Sequence, residues 1–316
     1  MGGSDGRAGR GGRRLLRSGT VAGDRPMTAR PRKLIVSASR RQDLPGCEPE
    51  RLLAGLQARE LVWRQPYSDQ PQRLCFEPEE IFCLALWSKN FAPLLAPEAR
   101  AVIDPLRPYF IFTVNDCPEL EPGLGPSLEA RLGQAALIAR HYGPRRLQWR
   151  FDPIVHWIDP AGRSHDNLAS FDPIARRMAA LGVNGCVVSF AQLYGKVRQR
   201  ERRLGLRFVD PPLEHKRAIL ARMAECAGEL GIELRTCSEP ELAGCHPNVR
   251  PSRCIDGPML VKLLDADPSG LELGAHPSRP GCGCTRSTDV GNYEPCAHHC
   301  AYCYANPSLD RPAPQG

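Results

Sequence analysis

The sequence predicts an α/β protein, a parallel (β/α)6-type partial TIM barrel followed by a cysteine-rich C-terminal extension. Three observations carry that expectation. Six short runs rich in β-branched and aromatic residues alternate with stretches whose apolar residues recur at three- and four-residue spacing. The helical stretches near 127–142, 171–181 and 213–230 stop at Gly143, Gly182 and Gly231, and a strand-like run follows almost at once. The runs themselves are apolar nearly throughout, the pattern of parallel strands buried on both faces.

In chain order the predicted strands are Leu34 to Ser39, Phe82 to Trp87, Tyr109 to Val114, Leu147 to Phe151, Cys186 to Phe190 and Ile232 to Cys237. Helices are expected near 48–60, 93–106, 127–142, 171–181 and 213–230, with one more at 255–264. A doubly wound sheet would use the same units. The barrel is preferred because each strand ends in polar residues, which an α/β barrel gathers on one face to build its active site. These ends carry Arg40, Arg41 and Asp43; Lys89 and Asn90; Asn115 and Asp116; Arg150 and Asp152; Lys196; and Glu239. A ring of salt bridges would satisfy such charges, because buried charge needs a partner. They are equally suited to gripping a ligand, with the arginines on a carboxylate and Glu239 or Asp152 on an amino or hydroxyl group.

The chain of 316 residues is 42% hydrophobic and carries a formal charge of +7. Nine Lys or Arg against Asp5 and Asp24 within residues 1–33 account for all of it; 33 basic and 33 acidic residues remain in the rest. Residues 1–33 therefore read as a disordered Gly/Arg-rich tail with some capacity for anions, and Met27 offers a second start. No apolar run reaches the roughly 18 residues that span a bilayer, and no signal peptide is evident, so the expectation is a soluble, cytoplasmic protein. In a reducing compartment, 14 cysteines point to metal or redox use rather than disulfides. Cys47, Cys75, Cys83, Cys117, Cys186, Cys226 and Cys245 are scattered singly and read as small apolar filler.

The other seven cysteines lie in a Pro- and Gly-rich stretch after Glu239 that needs something other than an apolar core to organise it. The expected domains are thus 34–239 for the barrel, 240–306 for a metal-bearing segment on its mouth, and 307–316 for a frayed tail. Cys296, Cys300 and Cys303 form a C-x3-C-x2-C loop with Tyr302 just before the third thiol. Three thiolates so spaced can hold three corners of an iron–sulfur cube and leave one iron open. Zinc remains an alternative, with His298 or His299 as the fourth ligand.

The segment Asp289 to Asn306, together with Ser37–Asp43, Trp87–Asn90, Trp149–Pro153, Ser189–Phe190 with Tyr194 and Lys196, Thr236–Glu239, Cys254–Asp256 and Cys282–Cys284, resembles the bacterial family known as domain of unknown function 1848. The resemblance spans nearly all of 34–306; Gln42 and Ser88 stand where that family's motifs carry Thr. It implies radical-SAM-like chemistry: a [4Fe-4S] cluster whose open iron takes the amino and carboxylate groups of S-adenosyl-L-methionine, and one-electron reduction that releases a 5′-deoxyadenosyl radical. It also implies an electron donor of the flavodoxin or ferredoxin kind. On that reading Arg40, Arg41, Lys89, Asn90 and Tyr302 surround the cofactor, and Arg150, Asp152, Lys196 and Glu239 face the substrate. Radical-SAM barrels place the triad after the first strand, whereas here it follows the last, so the resemblance implies a permuted barrel. An iron–sulfur electron carrier or sensor and a zinc-stabilised nucleic-acid-binding module are the competing functions.

Two further groups stay open. Cys237, Cys254, Cys282 and Cys284 supply four sulfurs for an auxiliary cluster or for zinc, or are four unrelated thiols; their 16, 27 and 1 intervening residues match no short metal motif. The basic run Lys196–Arg207 reads as a solvated helix face or as a contact to phosphate on a nucleic acid or nucleotide.

Overall fold

The structure is a computed structural model that describes residues 32–65, 68–293 and 296–305. The two predicted tails, apart from Arg32 and Lys33, and the alternative start at Met27 lie outside the described residues. Eight parallel strands form one sheet: β1 (Leu34–Ala38), β2 (Ile81–Ser88), β3 (Pro108–Thr113), β4 (Leu147–Ile154), β5 (Gly185–Phe190), β6 (Glu233–Thr236), β7 (Val249–Pro251) and β8 (Thr288–Asp289). Their order is β7-β6-β5-β4-β3-β2-β1-β8. The six predicted strands are therefore consecutive neighbours, as in a partial α/β barrel. Among the described residues no pairing joins β7 to β8, so the array is open rather than a closed barrel.

Helices α1 (Pro49–Gln57), α2 (Pro97–Ile103), α3 (Leu128–Tyr142), α4 (Phe171–Ala180), α5 (Gly195–Leu204) and α6 (Leu213–Glu229) connect the strands. Gly143, Gly182 and Gly231 adopt φ of +85°, +80° and +70°, the left-handed backbone that glycine reaches without a Cβ clash. Alternate strand residues point to opposite faces. Val36, Leu84, Leu86, Phe110, Phe112, Trp149, Phe151, Val188 and Phe190 pack under the connecting helices in the main core. Ile35, Cys83, Ala85, Tyr109, Ile111 and Val187 look the other way and are covered by Cys254, Ile255 and Leu260. Leu260 belongs to α7 (Gly257–Leu264), so the cysteine-rich segment plugs the inner face of the sheet.

The same segment supplies both edge strands. β7 pairs with β6 through Leu234↔Val249 and its neighbours, and β8 pairs with β1 through Val36↔Thr288 and Ser37↔Asp289. Strands this short have too few apolar residues to show in the sequence. Two small antiparallel ribbons were likewise not anticipated: Glu60–Arg64 with Pro71–Cys75, and His156–Ile158 with Ser164–Asp166 and Arg207–Val209.

Beyond β8 the chain crosses the end of β1 at Gly291, where a Cβ would lie 1.8 Å from Ser39 Oγ. Gly291→Ala should cost about 2 kcal/mol, because Ser39 Cβ, 2.4 Å from the added Cβ, is the root of a short side chain and not the far end of a flexible one. The expected result is a melting temperature lower by roughly 5 °C in a circular-dichroism melt. Gly125→Ala, at a position with open space around the missing Cβ, should leave it unchanged.

Candidate metal centre

The site begins at the carboxyl end of β1. Asp43 caps a short helix, Leu44–Cys47, by accepting from Gly46 N at 2.8 Å. The same carboxylate accepts from Ser88 Oγ at 2.7 Å and Lys89 N at 2.8 Å, which binds the end of β1 to the end of β2. Its remaining partner is His298 Nε2 at 2.7 Å, from the triad loop. The cap sets the direction of the turn that follows, and that turn delivers Cys47. Cys47 Sγ lies 3.6 Å from Cys296 Sγ and 3.8 Å from His298 Nε2. Among the described residues, Cys47, Cys296 and His298 are the Cys/His group whose ligand atoms all lie within 4.8 Å of one another.

The triad loop is moored on both sides. Gly123 N donates to His298 O at 3.1 Å and Ala301 N to Leu120 O at 2.8 Å, which ties the loop to the segment after β3. Tyr302 hydroxyl donates to Glu121, and Lys89 Nζ binds Glu121 Oε1 at 2.8 Å and Asn115 Oδ1 at 2.7 Å. From the other side Arg200 of α5 donates to the Cys303 carbonyl. All three triad cysteines thus lie over the carboxyl ends of the strands.

The electrostatics follow from burial and pairing. Hydrogen bonding from the Cys47 thiol, with help from the charge of His298, overrides burial and brings Cys296 down to about 6. Cys47 is raised by that same bond and by burial. Burial first, and then the charge of Glu121, push Cys300 well above the usual thiol range; the charges of Cys303 and Cys296 add to this, and Lys89 opposes it. Burial disfavours the charged form of His298, but the hydrogen bond and charge of Asp43 outweigh it and hold the imidazole above its ordinary range. His298 is 4% exposed, and its Nδ1 is buried without a hydrogen-bond partner among the described residues.

A second carboxylate anchors β8. Asp289 accepts from Ser37 Oγ at 2.9 Å, Ser39 Oγ at 2.8 Å and Arg40 N at 2.9 Å. Arg41 reaches its Oδ1 at 3.7 Å and the Gly291 carbonyl at 3.1 Å. The guanidinium of Arg40 stacks over Trp87 at 5.8 Å and donates to Ser287 Oγ at 2.5 Å.

Further along the sheet, Arg150 at the end of β4 pairs with Asp152 and donates to Cys254 Sγ at 2.8 Å, its guanidinium 5.4 Å from the Trp87 ring. Asp152 also accepts from Ser189. Burial works against both charges, yet their mutual attraction keeps Asp152 below and Arg150 well above the ordinary values. Glu239 accepts from Phe190 N at 3.1 Å, and burial raises its carboxyl to about 7. Cys237 Sγ lies 3.6 Å from Cys254 Sγ. Of the four sulfurs grouped from the sequence, Cys237 and Cys254 are in contact.

Most of the expected residues gather at the strand ends, with two exceptions. Asn90 turns its side chain to Gln134 Nε2 at 2.9 Å and Ala92 N at 3.1 Å, a local role beneath α3. Lys196 is exposed in the first turn of α5. The basic run is mainly a solvated face, except that Val197 and Arg200 are buried and Arg200 turns inward to Cys303. Three residues were missed. Cys47 is not isolated filler, and its signal was a position four residues after the polar end of β1. Glu121 and Asp289 gave no local signal, because their partners are distant in sequence.

Residues 35–305 match the family described as Domain of unknown function (DUF1848). The chain belongs to that family. No curated protein matches it. Within this DUF1848 chain the donor set suits a thiophilic metal. Cys47, Cys296 and His298 converge, and the Asp43–His298 bond is the carboxylate–histidine pairing that orients metal ligands.

The loop also approaches Gly123 so closely that a Cβ there would sit 1.8 Å from Ala297 O. Gly123→Ala should displace Cys296 and His298. Elemental analysis should show metal content lower by about tenfold, while far-ultraviolet circular dichroism stays native.

Proposed function

We propose that this chain is an iron–sulfur enzyme of the radical SAM type, with Cys296, Cys300 and Cys303 as the ligands of one [4Fe-4S] cluster. The observation that carries the reading is topological. β8 lies beside β1 in the sheet, so the spatial order runs β8, β1, β2 and onward, and the triad loop follows the strand at the head of the array. A C-terminal triad thereby occupies the place that a loop after the first strand would hold in an unpermuted barrel.

The chemistry such a cluster supplies when bound is one-electron reduction of the SAM sulfonium, with release of a 5′-deoxyadenosyl radical. The chain's own residues hold and shield the reactants. Arg40, Arg41, Lys89 and Tyr302 line the first three positions of that array and supply cationic and hydroxyl donors near the triad, with Asn90 fixing the turn beneath them. Arg150, Asp152 and Glu239 stand farther along the strand ends and face the substrate, with Lys196 at the outer rim. Glu239 at about 7 is divided between its acid and base forms at neutral pH, so it can hold or give a proton at the carboxyl oxygen. The electron comes from a flavodoxin- or ferredoxin-like protein.

A second reading is a mononuclear zinc centre on Cys47, Cys296 and His298. Zinc–sulfur bonds of about 2.3 Å in a tetrahedron set an edge of about 3.8 Å between two sulfur ligands. The Cys47 and Cys296 sulfurs stand 3.6 Å apart, close to that edge.

Anaerobic reconstitution with iron and sulfide, followed by dithionite and SAM, separates the two. The expected outcome is broad thiolate-to-iron absorption and chromatographically detected 5′-deoxyadenosine, both lost in Cys300→Ala. A cluster without 5′-deoxyadenosine makes the protein an electron carrier or sensor. A colourless chain with zinc on Cys47 and Cys296 establishes the mononuclear site. In the same assay Arg150→Ala should weaken SAM binding or turnover at least tenfold; unchanged values remove Arg150 from the site.

A further inference from the structure

We propose that α5 is the docking surface for the electron donor: its basic outer face, with the exposed tyrosine pair Tyr194 and Tyr304, receives an acidic electron-carrier protein beside Cys303. The proposal rests on the triad holding an iron–sulfur cluster, and it names where that cluster's electron enters.

The first observation is a local concentration of charge. Residues 34–316 are balanced overall, yet 196–207 hold Lys196, Arg198, Arg200, Arg202, Arg203 and Arg207 against Glu201 alone, six minus one or +5. That one acid is already occupied, accepting from Arg198 Nη1 and from Phe208 N, both at 2.8 Å. Lys196, Arg198, Arg202, Arg203 and Arg207 are all exposed. The guanidiniums of Arg202 and Arg207 have no ion-pair or hydrogen-bond partner among the described residues. A face of this kind speeds the approach of a partner of opposite charge and orients it on arrival.

The second observation is where the face sits. Lys196, Arg200 and Arg203 are four and three residues apart, so they follow one stripe of the helix. The middle member is buried and donates to the carbonyl of Cys303, so the basic helix is bonded directly to a residue of the triad. Cys303 itself is partly exposed, whereas Cys300 is buried. Electron tunnelling falls exponentially with distance, and a donor therefore has to dock where a cluster ligand nears the surface.

The third is the exposed aromatic pair. Tyr304 follows Cys303 in the chain and Tyr194 immediately precedes α5; they are 44% and 47% exposed, with ring centroids 5.6 Å apart. Tyrosine and arginine are the residues that interfaces favour, because they give a large contact area with a polar end. The pair bridges the triad loop and the basic helix, and so makes them one surface. Nucleic acid would use the same charges, but it gives no reason for the helix to be bonded to a triad residue. On docking, one electron leaves the carrier's reduced cofactor and enters the cluster, and no bond is made or broken.

The test uses the full chain reconstituted with iron and sulfide, and an acidic flavodoxin reduced by light as the probe. Bleaching of the thiolate-to-iron absorption by flavodoxin should slow about tenfold in Arg202→Glu/Arg207→Glu, and in the unaltered chain it should slow similarly when salt is raised. Bleaching by dithionite should be the same in both chains. Tyr194→Ala should weaken flavodoxin binding about tenfold. Carbodiimide cross-linking with mass mapping should join Lys196 to a flavodoxin carboxylate, a readout that needs no turnover. Failure to form the cluster, or to yield 5′-deoxyadenosine with dithionite, counts against the triad reading, and the cross-link then decides the docking face by itself. Equal flavodoxin rates in both chains, cross-links that map away from α5, or salt-sensitive binding of a labelled RNA hairpin at α5 without binding of flavodoxin would each overturn the proposal.

Discussion

The carboxylate of Asp43 is the constraint on which the site depends. It takes one donor from the turn after β1, two from the end of β2 and one from the triad loop. A carboxylate with four partners at hydrogen-bond distance has no spare acceptor capacity, so its neighbours are fixed relative to one another. If it were lost, Cys47 would lose its helix cap, Lys89 its backbone anchor and His298 the bond that orients its ring. Three strands' worth of positioning therefore passes through one side chain that is close to neither end of the chain.

The same economy governs the rest of the strand ends. Arg150 with Asp152, Lys89 with Glu121, and Arg41 with Asp289 are partly or fully buried pairs, and each has further hydrogen bonds that satisfy the remaining donors or acceptors. Removing one member would leave the other charge buried and unpaired, which costs several kcal/mol. A ring of ion pairs and a ligand-gripping set were alternatives in the sequence. In the fold they are not exclusive, because Arg150 spends one arm on Asp152 and the other on a sulfur. A salt bridge and a bond to a cysteine sulfur are made by the same guanidinium.

What could be read from the sequence divides along a physical line. All six long strands and the helices between them followed from local signals: apolar period, glycine stops and polar strand ends. Their boundaries fall within a residue or two of Ile81–Ser88, Pro108–Thr113 and Gly185–Phe190. The contact of Cys237 with Cys254 joins two of the four cysteines grouped from composition. Interactions that close over large separations were not legible. Cys47 meets Cys296 across 249 positions and Ser39 meets Asp289 across 250, and neither partner carries a local mark of the other. Arg200 looked like one more solvated charge because its run is basic throughout; the helical period put it on the buried face.

The position of β8 explains why a metal loop at the end of the chain can serve a site at the start of the sheet. A parallel array needs its strands adjacent in space, whatever their order in the chain, and the crossover is satisfied provided that the incoming strand has a free edge to pair with. β1 offers that edge. The two-residue β8 could not hold there by ladder hydrogen bonds alone, given how little a short strand contributes. Asp289 makes up the deficit with side-chain bonds to Ser37 and Ser39 and a backbone bond from Arg40, so the final strand is fastened as much by its carboxylate as by its backbone. The triad is then carried over the ends of strands that pair with one another without it.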